Sequence, residues 1–277
     1  MAKQTLKRQA FSRAYLYLGI VPASFVLSSQ LFSKGLIFSD PNSGSNKFFT
    51  STNSVIKHQD YDKEFVFFPH QLEPNRKYIV TFGVAIDWKH AQKGAQILAN
   101  ISGSEVELVH NGSVNRFIDY LRGALNRLHI PLLGRGNEKA INKLEERILS
   151  NLLQSPNETL VLVGHSAGAS TIAAAIRKII KEHPEFLNKL QESVQVEFWG
   201  SPEFRKEMRK FPCEQIRVYN RNGDYIAEAF EGPLLGGLAL PLSIFKLVSA
   251  LVKNGNQHRI ILYLADYMSY LNRKVTL

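Results

Sequence analysis

Thr159-Leu160-Val161-Leu162-Val163-Gly164-His165-Ser166-Ala167-Gly168, continued by Ala169-Ser170-Thr171-Ile172-Ala173-Ala174-Ala175, contains two structural elements and the turn between them. The apolar, β-branched run 159–163 reads as a buried strand. The small-residue run after Gly168 reads as a helix that can sit close against a sheet. Between them stands Gly-x-Ser-x-Gly. Glycines two positions on either side of Ser166 leave room for a sharp strand-to-helix turn with strained backbone, which pushes the hydroxyl out at the sheet edge. Ser166 is therefore a candidate nucleophile, and the amide of Ala167 a candidate donor to an oxyanion.

The same alternation of strand and helix extends along the chain. Strands are expected over 77–82, 105–110, 159–164, 194–199 and 216–220, and helices over 89–100, 114–128, 138–153, 167–182 and 203–210, with a last helix over 258–272. Strands separated by helical segments imply βαβ units, so the expected fold class is α/β with a mostly parallel sheet and helices on both faces. Residues 34–69, rich in Ser, Asn, Lys and Phe, read as edge strands and hairpins. The expected organisation is an N-terminal extension over 1–76 and a core over 77–277.

With 277 residues and a mass of 31.3 kDa, the chain is long enough for a sizeable core. Hydrophobic residues at 44% and charged residues at 21% exclude wholesale disorder and low-complexity architectures. Cys213 is the single cysteine, which rules out an internal disulfide and Cys-rich zinc or iron–sulfur patterns; no metal or cofactor is expected. The net charge of +10 favours anionic partners. The basic residues are dispersed, apart from Arg205, Lys206, Arg209 and Lys210, and no nucleic-acid-binding signature is present. These residues read first as a solvated basic face; an anionic membrane surface is a candidate partner, and nucleic acid is not expected.

Lys3, Lys7, Arg8 and Arg13 precede an apolar run over 14–27, which reads either as a signal-peptide h-region or as an N-terminal element packed on the domain. A cytoplasmic location is favoured over secretion. A second apolar stretch, 232–252, has the length of a membrane span but contains Pro233, Gly236, Gly237, Pro241 and Lys246. It reads as an insertion before the last helix, a lid or acyl-pocket wall.

A serine hydroxyl needs a base, and the base an orienting carboxylate, in the chain order Ser, acid, His. Downstream of Ser166 the histidines are His183 and His258. His183 closes the helix after the turn, whereas His258 follows a loop and opens the last helix, so His258 is the candidate base. Asp224, in the turn after the strand 216–220, is the candidate acid, with Glu228 and Glu231 as alternatives. Catalytic groups collect at such C-terminal strand ends in open α/β sheets. The second oxyanion donor is expected in the loop Gly83-Val84-Ala85 after the first core strand, at Val84.

These pieces resemble the α/β-hydrolase superfamily and, more narrowly, the class 3 lipases and related serine esterases. The matching segments are 163–168, Phe198-Trp199-Gly200-Ser201-Pro202, 217–224, and His258 with Tyr263. The resemblance implies a Ser166, Asp224, His258 triad, an acyl-enzyme and an ester or lipid substrate. Departures are Gly168-Ala169 where the family has a glycine pair, and an unmatched loop at 83–85. A noncatalytic lipid- or membrane-binding module on the same fold, and a thioesterase or peptidase using the same triad, are the alternatives.

Overall fold

A near-continuous apolar run gives a strand two buried faces when helices cover both sides of the sheet. The computed structural model describes residues 42–60, 63–70, 75–83, 86–112, 138–155, 157–201, 210–221, 224 and 259–275. In chain order the strands are β1 (Asn46–Phe49), β2 (Ile56–Asp60), β3 (Lys63–Phe67), β4 (Arg76–Thr81), β5 (Glu105–Val109), β6 (Thr159–His165), β7 (Val194–Trp199) and β8 (Gln215–Tyr219). The helices are α1 (Trp88–Ser102), α2 (Glu138–Gln154), α3 (Ala167–Glu182), α4 (Leu187–Ser193) and α5 (Ile260–Val275), with one 3-10 turn at Pro184–Phe186.

Six strands form one sheet in the order β1-β5-β4-β6-β7-β8, and β2 and β3 make a separate hairpin. From β5 to β8 every pairing is parallel; β1 runs antiparallel along β5, so the sheet includes residues upstream of 77. The two faces follow residue parity. Tyr78, Val80, Val161 and Val163 pack with α1, α5 and Phe67 of the hairpin. Ile79, Leu160, Leu162, Val194 and Val196 pack with α2, α3 and Leu190 of α4. The α/β class and the placement of helices on both faces are as expected from the sequence.

Helix α1 starts where Asp87 accepts a bond of 2.8 Å from the His90 amide, and stops at Gly103, whose φ of 64° suits glycine. Helix α5 begins at Ile260 rather than at 258, and α4 was not expected. The expected helix over 114–128, nearly all of that over 203–210 and the insertion 232–252 lie outside the described residues. Among the described residues no helix is long and apolar enough to cross a membrane.

Strand order places the functional end of the sheet. The chain passes from β4 to β5 on one side, and β6 lies against the other side of β4. The order therefore reverses at the β4–β6 junction, and a crevice opens outside the carboxyl ends of strands at such a point.

Candidate active site

The carboxyl ends of β4 and β6 carry Gly83 and Ser166. Ser166 has φ 56° and ψ −127°, a region that a residue with a Cβ enters at a cost on the order of 1–3 kcal/mol. Surrounding contacts impose it. The Ser166 amide donates to the Trp199 carbonyl at 2.8 Å, and the Ser166 carbonyl accepts from the Ala169 amide at 3.0 Å. The three neighbouring glycines are packing requirements. A Cβ on Gly164 would stand 2.6 Å from Ala169 Cα, one on Gly168 would strike the Thr81 carbonyl, and one on Gly83 would stand 2.5 Å from Ser166 Cβ. The turn is thus locked between β4 and α3, with Ser166 only 6% exposed.

Ala167 is the first residue of α3, so its amide has no acceptor within the helix and lies at the positive end of the helix dipole. Gly83 passes beside it, since a Cβ there would lie 2.9 Å from the Ala167 nitrogen. Val84, the expected second donor, lies outside the described residues, as does His258.

Asp224 is fully buried beyond the end of β8, and its amide donates to the Arg221 carbonyl at 3.1 Å. The Tyr263 hydroxyl of α5 donates to Asp224 Oδ2 and accepts from the Arg221 amide at 3.3 Å. The Arg221 guanidinium holds the Leu262 carbonyl at 3.0 Å and Asp266 at 2.8 Å, and Asp266 also accepts from the Tyr219 hydroxyl at 2.8 Å. Burial, and then the adjoining Asp224 carboxylate, hold the Tyr263 phenol well above the usual tyrosine range. The Tyr263 ring lies 5.2 Å from the ring of His165, the residue before Ser166. Ser166, Ala167 and Asp224 therefore occupy the same end of the sheet, with Tyr263 packed between Asp224 and the serine turn.

His183 is placed elsewhere. Helix α3 has 16 residues and separates it from Ser166 by about 24 Å at 1.5 Å per residue. It lies 3.6 Å from Glu145 and 3.4 Å from Glu185. Glu228 and Glu231 are outside the described residues. Among the described residues no group of three or more His, Cys, Asp or Glu is placed to hold a metal ion. The contact that sequence reasoning missed is the bond from Tyr263 to Asp224, which spans 39 residues.

A mostly parallel sheet covered on both faces, with a serine on a strained turn between a central strand and a helix, is an α/β-hydrolase fold. Neither a protein-family model nor a curated protein sequence matches the chain. Solved structures do. The chain is similar to an α/β serine hydrolase without a lid from Xanthomonas campestris (16% identity, TM-score 0.38, covering 80% of this chain and 93% of that one). It is also similar to a Trichoderma reesei cutinase bound to a phosphonate inhibitor (15%, TM-score 0.35, 69% and 76%). Lysin B from mycobacteriophage D29 is a third such structure (13%, TM-score 0.38, 72% and 99%).

Proposed function

We propose that this chain is a serine hydrolase that cleaves carboxylic esters, with acyl lipids as the substrate class. The observation that carries the reading is the strained Ser166, on a turn whose close packing requires Gly83, Gly164 and Gly168, beside the helix-start amide of Ala167. In the proposed cycle Ser166 Oγ attacks the ester carbonyl carbon while His258 takes the hydroxyl proton. The tetrahedral oxyanion is held by the amides of Ala167 and Val84. Collapse expels the alcohol, which receives the proton from His258, and leaves an acyl-Ser166; water then repeats the sequence and releases the acid. Asp224 orients the imidazole and stabilises its charged form. The apolar insertion 232–252 would cover the acyl chain, and the +10 charge would favour substrate presented on an anionic membrane surface.

The test is covalent labelling by a fluorophosphonate, together with hydrolysis of p-nitrophenyl esters of increasing chain length. Wild type is expected to label at Ser166 and to turn over longer esters faster, and folded Ser166→Ala to do neither. Equal labelling of Ser166→Ala would remove Ser166 as the nucleophile. Folded wild type that binds anionic vesicles without turnover or labelling would mark a noncatalytic lipid-binding module.

A further inference from the structure

Tyr263 and Asp224 are 1% and 0% exposed, and the phenol donates to Oδ2 of the carboxylate. A carboxylate has two acceptor oxygens, and an acid that orients a base must present one of them in a fixed direction. We infer that Tyr263 is a positioning residue of the proposed hydrolase, tying Oδ2 of Asp224 so that Oδ1 is the oxygen presented to the base. The inference rests on the reading of Asp224 as the triad acid.

Three features support a neutral, permanent donor here. First, among the described residues the phenol is faced by the His165 ring from β6, the Tyr219 ring at 5.8 Å from β8, and Arg221 from the turn. The Arg221 guanidinium is bonded to the Leu262 carbonyl and to Asp266, and the phenol donates to Asp224 Oδ2. Second, a neutral donor fixes the carboxylate without cancelling the negative charge that an imidazolium requires, as a cation would. Third, burial and the neighbouring carboxylate keep the phenol protonated through the neutral range, so it does not switch off as pH changes.

The experiment measures the rate of fluorophosphonate labelling of the full chain from pH 5 to 9. The proteins are wild type, Tyr263→Phe, Asp224→Asn and the double variant, and thermal unfolding is recorded in parallel. Tyr263→Phe is expected to slow labelling about tenfold, the scale of one hydrogen bond to a charged group. Its carboxylate, stripped of a donor, concentrates charge toward the base and raises the base's pKa, so the acidic limb should move to higher pH by about half a unit. In the Asp224→Asn background the same change should alter the rate less than twofold, because the two effects are coupled.

An unmoved limb, or a tenfold loss in both backgrounds, overturns the inference while leaving the hydrolase reading intact. Wild type that does not label at Ser166 overturns both. If Tyr263→Phe does not stay folded, 3-fluorotyrosine at position 263 replaces it. That isosteric, stronger donor should move the limb to lower pH, and an unmoved limb again overturns the inference.

Discussion

Replacing Ser166 by glycine and by alanine separates backbone strain from side-chain chemistry, since both variants lack the hydroxyl and only alanine keeps the Cβ. At an ordinary buried site, alanine to glycine costs about 0.4–1 kcal/mol through the freer unfolded chain and about 0.8 kcal/mol for the lost methyl contact, so about 1.5 kcal/mol together. At φ 56° and ψ −127°, the conformation of the first central residue of a type II′ turn, the Cβ itself costs on the order of 1–3 kcal/mol. The strain offsets the ordinary penalty, so Ser166→Gly should fall within about 0.5 kcal/mol of Ser166→Ala or be the more stable. Urea unfolding followed by tryptophan fluorescence measures this. Trp199 is 1% exposed and its carbonyl accepts the Ser166 amide, so one of the two tryptophans reports directly on the turn. A glycine variant weaker than alanine by the full 1.5 kcal/mol, at an unchanged m-value, would refute the argument that the turn is strained.

Gly83→Ala places a Cβ 2.5 Å from Ser166 Cβ, with backbone on either side; a loss of about 1–3 kcal/mol in urea unfolding and a fall in Ser166 labelling are expected. Arg217→Ala removes a 2.6 Å bond to Glu197, itself 8% exposed, and a guanidinium 3.6 Å from the centre of the Tyr270 ring; unfolding stability should drop by about 1–3 kcal/mol, and Arg217→Lys should restore only part of it. Burial pushes the Cys213 thiol from 9.0 up to about 12. At pH 8 the folded protein should therefore react with a disulfide reagent at least about tenfold more slowly than the urea-unfolded chain, since the loss of thiolate outweighs its greater nucleophilicity, and similar rates would contradict the raised thiol pKa.

The parts of the fold legible in the sequence are those whose signal is local. Strand β6 and the turn after it are written in ten consecutive residues, and β7 falls on Val194–Trp199 as its apolar run indicates. Helix α4 escaped because seven residues after Pro184 are too short to show a helical period. The role of Gly83 was illegible for a different reason: its partner Ser166 is 83 residues away, and one glycine after a strand has no distinctive local pattern. The bond from Tyr263 to Asp224 is long-range in the same way. A signal did exist, since Tyr263, Tyr267 and Tyr270 recur at helical spacing and mark one aromatic face of the last helix.

That face explains how α5 is held at the candidate site. Tyr267 meets Tyr78 of β4 through paired hydroxyls at 3.3 Å and packs 5.0 Å from the Trp199 ring of β7. Tyr270 lies under Arg217 of β8, and Asp266 is held by Arg221 and by Tyr219 of β8. Contacts with three strands fix the rotation of the helix about its axis, and the rotation in turn delivers Tyr263 to Asp224. Ile260, the first residue of this anchored helix, follows His258 by two positions in the sequence. In the proposed hydrolase, the helix that positions the acid therefore also governs where the chain carrying the base must enter. Loosening it through Asp266→Ala should consequently lower turnover more than it raises KM.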